Sequence, residues 1–428
     1  MKSLVSAAVQ SGSGSWTSRR RLVRLLGLAP AALLLCGLFT VWAGPAARPV
    51  AAGTALAQPQ SVAVSGDWTQ FHNNPTHQGY NSAETTLSAS NVPALGVAWT
   101  GTTGGGIYDS SPAVANGVVY VGSFDGKLYA YAVGCASGGG SCTPLWTAGA
   151  TGDEIDSSPA VANGVVYVGS DYDKLYAYAV GCNSGGGSCS PLWTAATGGW
   201  VVSSPAVANG VVYVGSEDDK LYAFDAAGVS GCSGSPRTCT PLWTATTGNW
   251  ILSSPAVANG VVYVGSYDHK LYAFDAAGAS GCSGSPKTCT PLWTGVTGDY
   301  IESSPAVADG VVYVGSEDKK LYAYAVGCAS GGGSCTPLWT ATTGGAIYSS
   351  PAVTNGVVYV GCGDDKLYAF HLVVVRYSGA DRFATAAAVS AHTFGSPCHC
   401  TAYIATAYNF PDALAGAAAA GTIKGPVL

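Results

Sequence analysis

The 428-residue chain is long enough for one large domain and a smaller one; only 10% of its residues are charged, and glycine alone supplies 59. Glycine mixed with β-branched and aromatic residues, with few charged helix-forming stretches, points to many short strands and a mainly β class. Residues 1–57 hold six basic and no acidic residues, so the remainder carries 12 basic against 24 acidic. That net charge of −12 excludes nucleic acid as a partner, because phosphate binding needs lysine and arginine in excess.

From the N-terminus, Arg19, Arg20, Arg21 and Arg24 precede an apolar run from Leu25 to Gly44, with small-residue cleavage options at Val41-Trp42-Ala43 and Ala55-Leu56-Ala57. Residues 1–57 therefore read as a signal peptide or, uncleaved, as a membrane anchor. In both cases the basic flank stays inside and the rest is exported.

An internal repeat governs residues 58–371. Copies of Ser-Ser-Pro-Ala-Val-Ala-Asn-Gly-Val-Val-Tyr-Val-Gly-Ser begin at Ser110, Ser157, Ser203, Ser253, Ser303 and Ser349, at spacings of 46 to 50 residues. In the second copy, Ser158 to Ala162 is a first strand, and Asn163-Gly164 supplies the positive φ angles of a type I′ hairpin turn. Val165 to Gly169 is the second strand and Lys174 to Val180 the third. A Gly/Ser loop then leads to Pro191-Leu192-Trp193-Thr194, the fourth. The tryptophan strand also occurs six times, but the first, at Trp99, precedes the first Ser-Ser-Pro unit and none follows the last. A ring resolves the mismatch. The expected fold is a six-bladed β-propeller of four-stranded antiparallel blades, closed by the N-terminal strand so that no sheet edge is left open.

These units resemble the PQQ-like propeller repeats of quinoprotein dehydrogenases and of the propeller subunit in outer-membrane protein assembly. The resemblance rests on Ser-Pro-Ala-Val, Val-Val-Tyr-Val-Gly-Ser, Lys220 to Ala226, Lys270 to Ala276, and the lead-in Trp68-Thr69-Gln70-Phe71-His72-Asn73-Asn74. It implies the fold and leaves the chemistry open.

Ten of the 14 cysteines form five pairs around the loop between third and fourth strands: Cys135/Cys142, Cys182/Cys189, Cys232/Cys239, Cys282/Cys289 and Cys328/Cys335. In an exported protein these read as structural disulfides within one repeat. No metal site is expected, because a zinc site needs four clustered ligands. No catalytic residues and no cofactor are expected either. The resemblance to quinoproteins implies an axial quinone with calcium and, in several members, a pair of adjacent cysteines, and this sequence has no such pair. The six histidines form no recurring constellation.

The repeats differ mainly in the loop that leads into each Ser-Ser-Pro unit. It carries Asp109, Glu154, Asp156, Trp200, Trp250, Tyr300, Glu302 and Tyr348 around an apolar residue read as core. These loops should ring one mouth of the channel, where aromatic faces and carboxylates suit a glycan, a basic peptide or a protein surface. The alternative is that the aromatic rings pack between blades. The acidic turns after the second strand (Asp125, Asp171, Asp173, Asp218, Asp268, Asp318, Asp364), each beside a lysine, read as turn-forming residues rather than calcium ligands.

After His371 the composition changes. Arg376-Tyr377-Ser378-Gly379-Ala380-Asp381-Arg382 and Asn409-Phe410-Pro411-Asp412 resemble the two signatures of the type 2 cell-wall-binding repeat of Gram-positive surface proteins. The resemblance makes residues 372–428 a partial α/β wall-binding unit, with Arg376, Gly379, Asp381, Arg382, Phe410, Pro411 and Asp412 as its motif and a wall polymer as its partner. The functional expectation is a secreted, cell-wall-associated propeller acting as a non-catalytic binding scaffold; the alternative is a quinoprotein-type oxidoreductase.

Overall fold

A computed structural model describes residues 67–372 apart from 80, 82, 137–138, 150, 183–186 and 329–330. The readings on 1–57 and on the wall-binding motif lie outside the described residues, none of whose helices is long and apolar enough to cross a membrane.

Each Ser-Ser-Pro unit builds one sheet. In repeat 4, Ala256–Ala258, Val261–Ser266, Lys270–Asp275 and Trp293–Val296 pair antiparallel in that order, with Ala256 opposite Tyr263, Val262 opposite Phe274 and Ala273 opposite Trp293. The Asn-Gly pairs behave as expected: Asn259 and Gly260 sit at φ 51° and 78°.

The sheets are not limited to four strands. Trp293–Val296 also accepts Gly333–Cys335 of repeat 5 in parallel, Trp293 opposite Gly333. The same addition recurs at Trp146, Trp193 and Trp243, giving sheets of five, six, six and five strands in repeats 1 to 4. The added strands belong to the hairpins closed by disulfides Cys135–Cys142, Cys182–Cys189, Cys232–Cys239, Cys282–Cys289 and Cys328–Cys335. Each cystine hairpin thus clasps the outer strand of the preceding repeat, so a bond internal to one repeat stiffens the joint to its neighbour.

The ends differ. Repeat 5 has four strands and repeat 6 three, Ala352–Thr354, Val357–Cys362 and Lys366–His371. Trp99–Gly101 pairs with Gly140–Cys142 of repeat 1 and, among the described residues, has no pairing with Lys366–His371. The closing contact expected from the strand count is not formed here.

The core lies between repeats. Trp146, Trp193, Trp243 and Trp293 are buried against their own repeat's tyrosine (Tyr120, Tyr167, Tyr213, Tyr263) and strands of the next repeat. The Ser-Ser pair has two separate jobs. The first hydroxyl accepts the N–H of the glycine in Val-Gly-Ser, as Ser253 does from Gly265 at 3.1 Å. The second accepts a backbone N–H from the preceding repeat, in five steps from Ser111→Ser158 to Ser304→Ser350 at 2.9–3.0 Å. A neighbour-to-neighbour ladder on identical residues is how identical repeats acquire a fixed relative rotation.

Residues 67–79 join all six. The first strand of every repeat turns its central valine N–H toward this segment. Val114 and Trp68 exchange two hydrogen bonds, and Val161, Val257, Val307 and Val353 donate to the carbonyls of Thr69, Pro75, Thr76 and Gln78. Val207 donates to Gln70 Oε1 at 3.1 Å. One 13-residue segment therefore supplies acceptors to the inner edges of six sheets. Its own centre is tightly held: Phe71 stacks on His72 at 4.3 Å, and the His77 ring N–H donates to the Pro305 carbonyl at 3.1 Å. Burial, then the nearby His72, lowers the His77 pKa to about 3, so the ring is neutral.

Candidate functional site

The loops entering the repeats and the turns after the second strands lie at one end of the sheets. Each loop is pegged by its middle residue: Ile155, Val201, Ile251, Ile301 and Ile347 are fully buried. A Cβ on Gly265 would overlap the Ile301 side chain, so the glycine of Val-Gly-Ser is the socket for this peg. In repeat 1, Tyr108 stands in the peg position and is exposed.

With the peg inward, the residues on either side face out. Asp109, Trp250, Tyr300 and Tyr348 are exposed, Glu154, Trp200 and Glu302 half-buried, and Asp156 buried. Trp250 and Tyr300 are each 39% accessible and Tyr348 51%, whereas the strand tryptophans are buried. Trp200 is half-buried, and Tyr300, though partly in water, also packs across the joint between repeats 4 and 5.

A third variable position went unrecognised in the sequence: the residue after Val-Val-Tyr-Val-Gly-Ser, occupied by Phe124, Asp171, Glu217, Tyr267, Glu317 and Gly363. Its backbone N–H is bonded to the loop, Tyr267 to the Trp250 carbonyl at 2.9 Å and Glu317 to that of Tyr300 at 3.0 Å. The mouth thus has three variable positions per repeat. The available signal was the one already used for the loops, variation inside a near-invariant frame.

In repeats 4 to 6 these positions merge into one patch. Tyr267 stacks on Tyr300 at 4.7 Å and 11°, with Trp250 at 6.2 Å from Tyr267 and His269 edge-on to Tyr300 at 5.0 Å. Burial, then Glu302 and Asp299, pushes the Glu317 carboxyl up to about 7. Burial and the same acids raise Tyr348. In repeat 2, Glu154, Asp156 and Asp171 each bring one carboxylate oxygen within 4.8 Å of the others. Three such oxygens are fewer than the six to eight that calcium takes, and acidic neighbours alone do not define a site.

The acidic turns have structural employment. Asp125, Asp218, Asp268, Asp318 and Asp364 each accept a tyrosine O–H from their own hairpin, as from Tyr129 and Tyr222, at 2.5–2.7 Å. Each is also paired with its lysine at 2.7–3.6 Å. In repeat 2 the aspartate is displaced by one, so Asp171 joins the variable set and Tyr176 donates instead to the Thr151 carbonyl at 2.7 Å.

Two family models match parts of the chain. The family model described as outer membrane protein assembly factor BamB matches residues 139–229 and 283–373. The model described as cell wall binding domain 2 matches residues 376–428. No curated protein matches the chain. Among solved structures, the computationally designed Ika8 protein superposes with a TM-score of 0.48 at 13% identity, over 61% of this chain and 70% of that one.

Proposed function

Starting from a chain that carries BamB-type propeller repeats followed by a cell wall binding domain 2, we propose that the protein is an exported, wall-associated scaffold that binds a ligand at the mouth and catalyses no reaction. One observation carries this: the repeats are almost interchangeable except at the mouth, where exposed Trp250, Tyr300 and Tyr348 sit among Glu302 and Glu317. Variable residues on a rigid frame are where recognition accumulates. The alternative, a quinoprotein-type oxidoreductase, would need an axial cofactor. Residues 67–79 hydrogen-bond to the inner strands of all six repeats, which favours the scaffold reading.

A glycan and peptide array identifies the ligand class. For a ligand so found, Trp250→Ala with Tyr300→Ala is expected to cost about 2 kcal/mol of binding or more. The melting temperature should stay close to wild type, because both rings are partly in water. A double variant that binds normally removes the mouth from consideration.

The same proposal includes a closed six-bladed ring in which Trp99–Gly101 completes repeat 6. In its support, among the described residues repeat 6 lacks a tryptophan strand and Trp99–Gly101 lacks an antiparallel partner, and six inner strands bond to one segment. The register of repeat 5, Trp339 opposite Ala323, transfers to Trp99 opposite Ala369. Deleting residues 96–101 should then expose the edge of Lys366–His371 and promote aggregation. Unchanged solubility and melting would favour an open arrangement.

A further inference from the structure

We infer that the mouth patch of repeats 4 to 6 is a seat for a cationic side chain, an ammonium or guanidinium on an extended peptide, held against the Tyr267–Tyr300–Trp250 rings and beside Glu302 and Glu317. This rests on the reading of the mouth as a binding surface and names its ligand chemistry.

Two independent features converge on it. The first is the rings. Tyr267 and Tyr300 form a parallel stack at 4.7 Å with Trp250 alongside, and both Trp250 and Tyr300 keep 39% of their surface in water. Tyrosine and tryptophan faces attract cations through the ring quadrupole, most strongly where water is partly excluded. Flat rings alone would serve a sugar equally well.

The second feature is charge, and it discriminates. The acidic turns have matched lysines: Asp218, Asp268 and Asp318 are paired with Lys220, Lys270 and Lys320. Glu317 is placed differently. The groups acting on it are its own burial, Glu302 and Asp299, and all three oppose its ionisation. Tyr267 and Tyr348 feel the same two glutamates. On its own turn Asp318 and Lys320 are engaged with each other, Lys319 is exposed, and His269 from the neighbouring turn lies 3.8 Å from the Asp299 carboxylate. A carboxyl held back from ionising by burial and then by like charges is relieved by a bound cation, which a neutral sugar cannot supply. The part of the chain beyond residue 57 is acidic overall, so long-range attraction acts in the same direction.

The linkage has a definite sign. Glu317 titrates near 7 in the free protein, and a bound cation lowers that value. Binding therefore releases part of a proton at neutral pH, is strongest well above pH 7, and weakens as pH falls through it.

The test is calorimetric titration of the full chain with the blocked peptide Gly-Lys-Gly-Lys-Gly, with a norleucine analogue of the same shape, and with a neutral N-acetylglucosamine oligomer. The lysine peptide should bind while the other two do not, and its affinity should fall roughly fivefold or more between about pH 8 and pH 6. Titration in two buffers of different ionisation enthalpy should reveal the released proton. Glu317→Gln should flatten the pH step and weaken binding roughly tenfold, and its melting temperature at about pH 8 should rise, because a repelled carboxylate is gone. A lysine peptide that fails to bind at millimolar concentration overturns the inference. Equal binding of the norleucine peptide or the sugar also overturns it, yet leaves the mouth standing if Trp250→Ala with Tyr300→Ala abolishes that binding. Lysine-peptide binding that survives the Trp250/Tyr300 double variant overturns the mouth reading itself.

Discussion

Deleting residues 58–80 is expected to leave a chain that does not fold to a soluble monomer. The described part of this segment accepts a backbone N–H from all six repeats, five at main-chain carbonyls and one at Gln70 Oε1, and the valines it serves at 161, 207, 257 and 307 are buried. Six inner-edge donors would lose their partners together. An orphaned buried donor costs about 1–3 kcal/mol, so the sum reaches the about 5–15 kcal/mol by which a domain of ordinary stability is folded. Size-exclusion chromatography and a thermal melt check the outcome. A synthetic peptide covering residues 66–80, added during refolding, should restore part of the cooperative melt, because the segment is continuous and its contacts are mostly main-chain. Gln70→Ala removes one acceptor, that of Val207, and should cost only about 1–3 kcal/mol. A deletion variant that stays soluble and melts normally would show that the repeats hold one another without it.

Trp243→Ala is expected to cost about 3–5 kcal/mol of stability. Its side chain is 2% accessible, tilted against Tyr213 at 5.9 Å, and donates Nε1–H to the Ala276 carbonyl of the next repeat at 3.3 Å. Tyr213 donates to the same carbonyl at 2.9 Å. The truncation therefore opens a void between repeats 3 and 4 and takes one of two donors from a shared acceptor. Trp339→Ala is the internal comparison: Trp339 is 42% accessible and meets Phe370 edge-on at 5.3 Å. It should cost clearly less in the same denaturant titration. Equal losses at the two sites would mean that the seam beside repeat 6 is as well packed in solution as the interior joints.

The mouth illustrates where reading the chain stopped. The loop residues were found because they vary between copies, and the pegs Ile251 and Ile301 were read as core between them. Tyr267 and Glu317 satisfy the same criterion but sit next to Asp268 and Asp318, the turn aspartates that recur between copies, and were not singled out. Only the hydrogen bonds from Tyr267 to Trp250 and from Glu317 to Tyr300 bring them to the loops. Residues 17 positions apart in the chain become neighbours through pairing that no local propensity encodes.

By itself the sequence determined the strand units, their hairpin turns and the pairing of each cystine, because these depend on contacts within about 50 residues that recur in every copy. Only the tertiary structure decided what lies between copies: cystine hairpins clasping the preceding sheet, the serine ladder from Ser111 to Ser350, and the lead-in at Trp68 bonded to the first strand of every repeat. A periodic sequence states each repeat's contacts with itself. It is silent on which backbone edges remain unsatisfied once the repeats are assembled, and burial of those edges is what gives residues 67–79 their place.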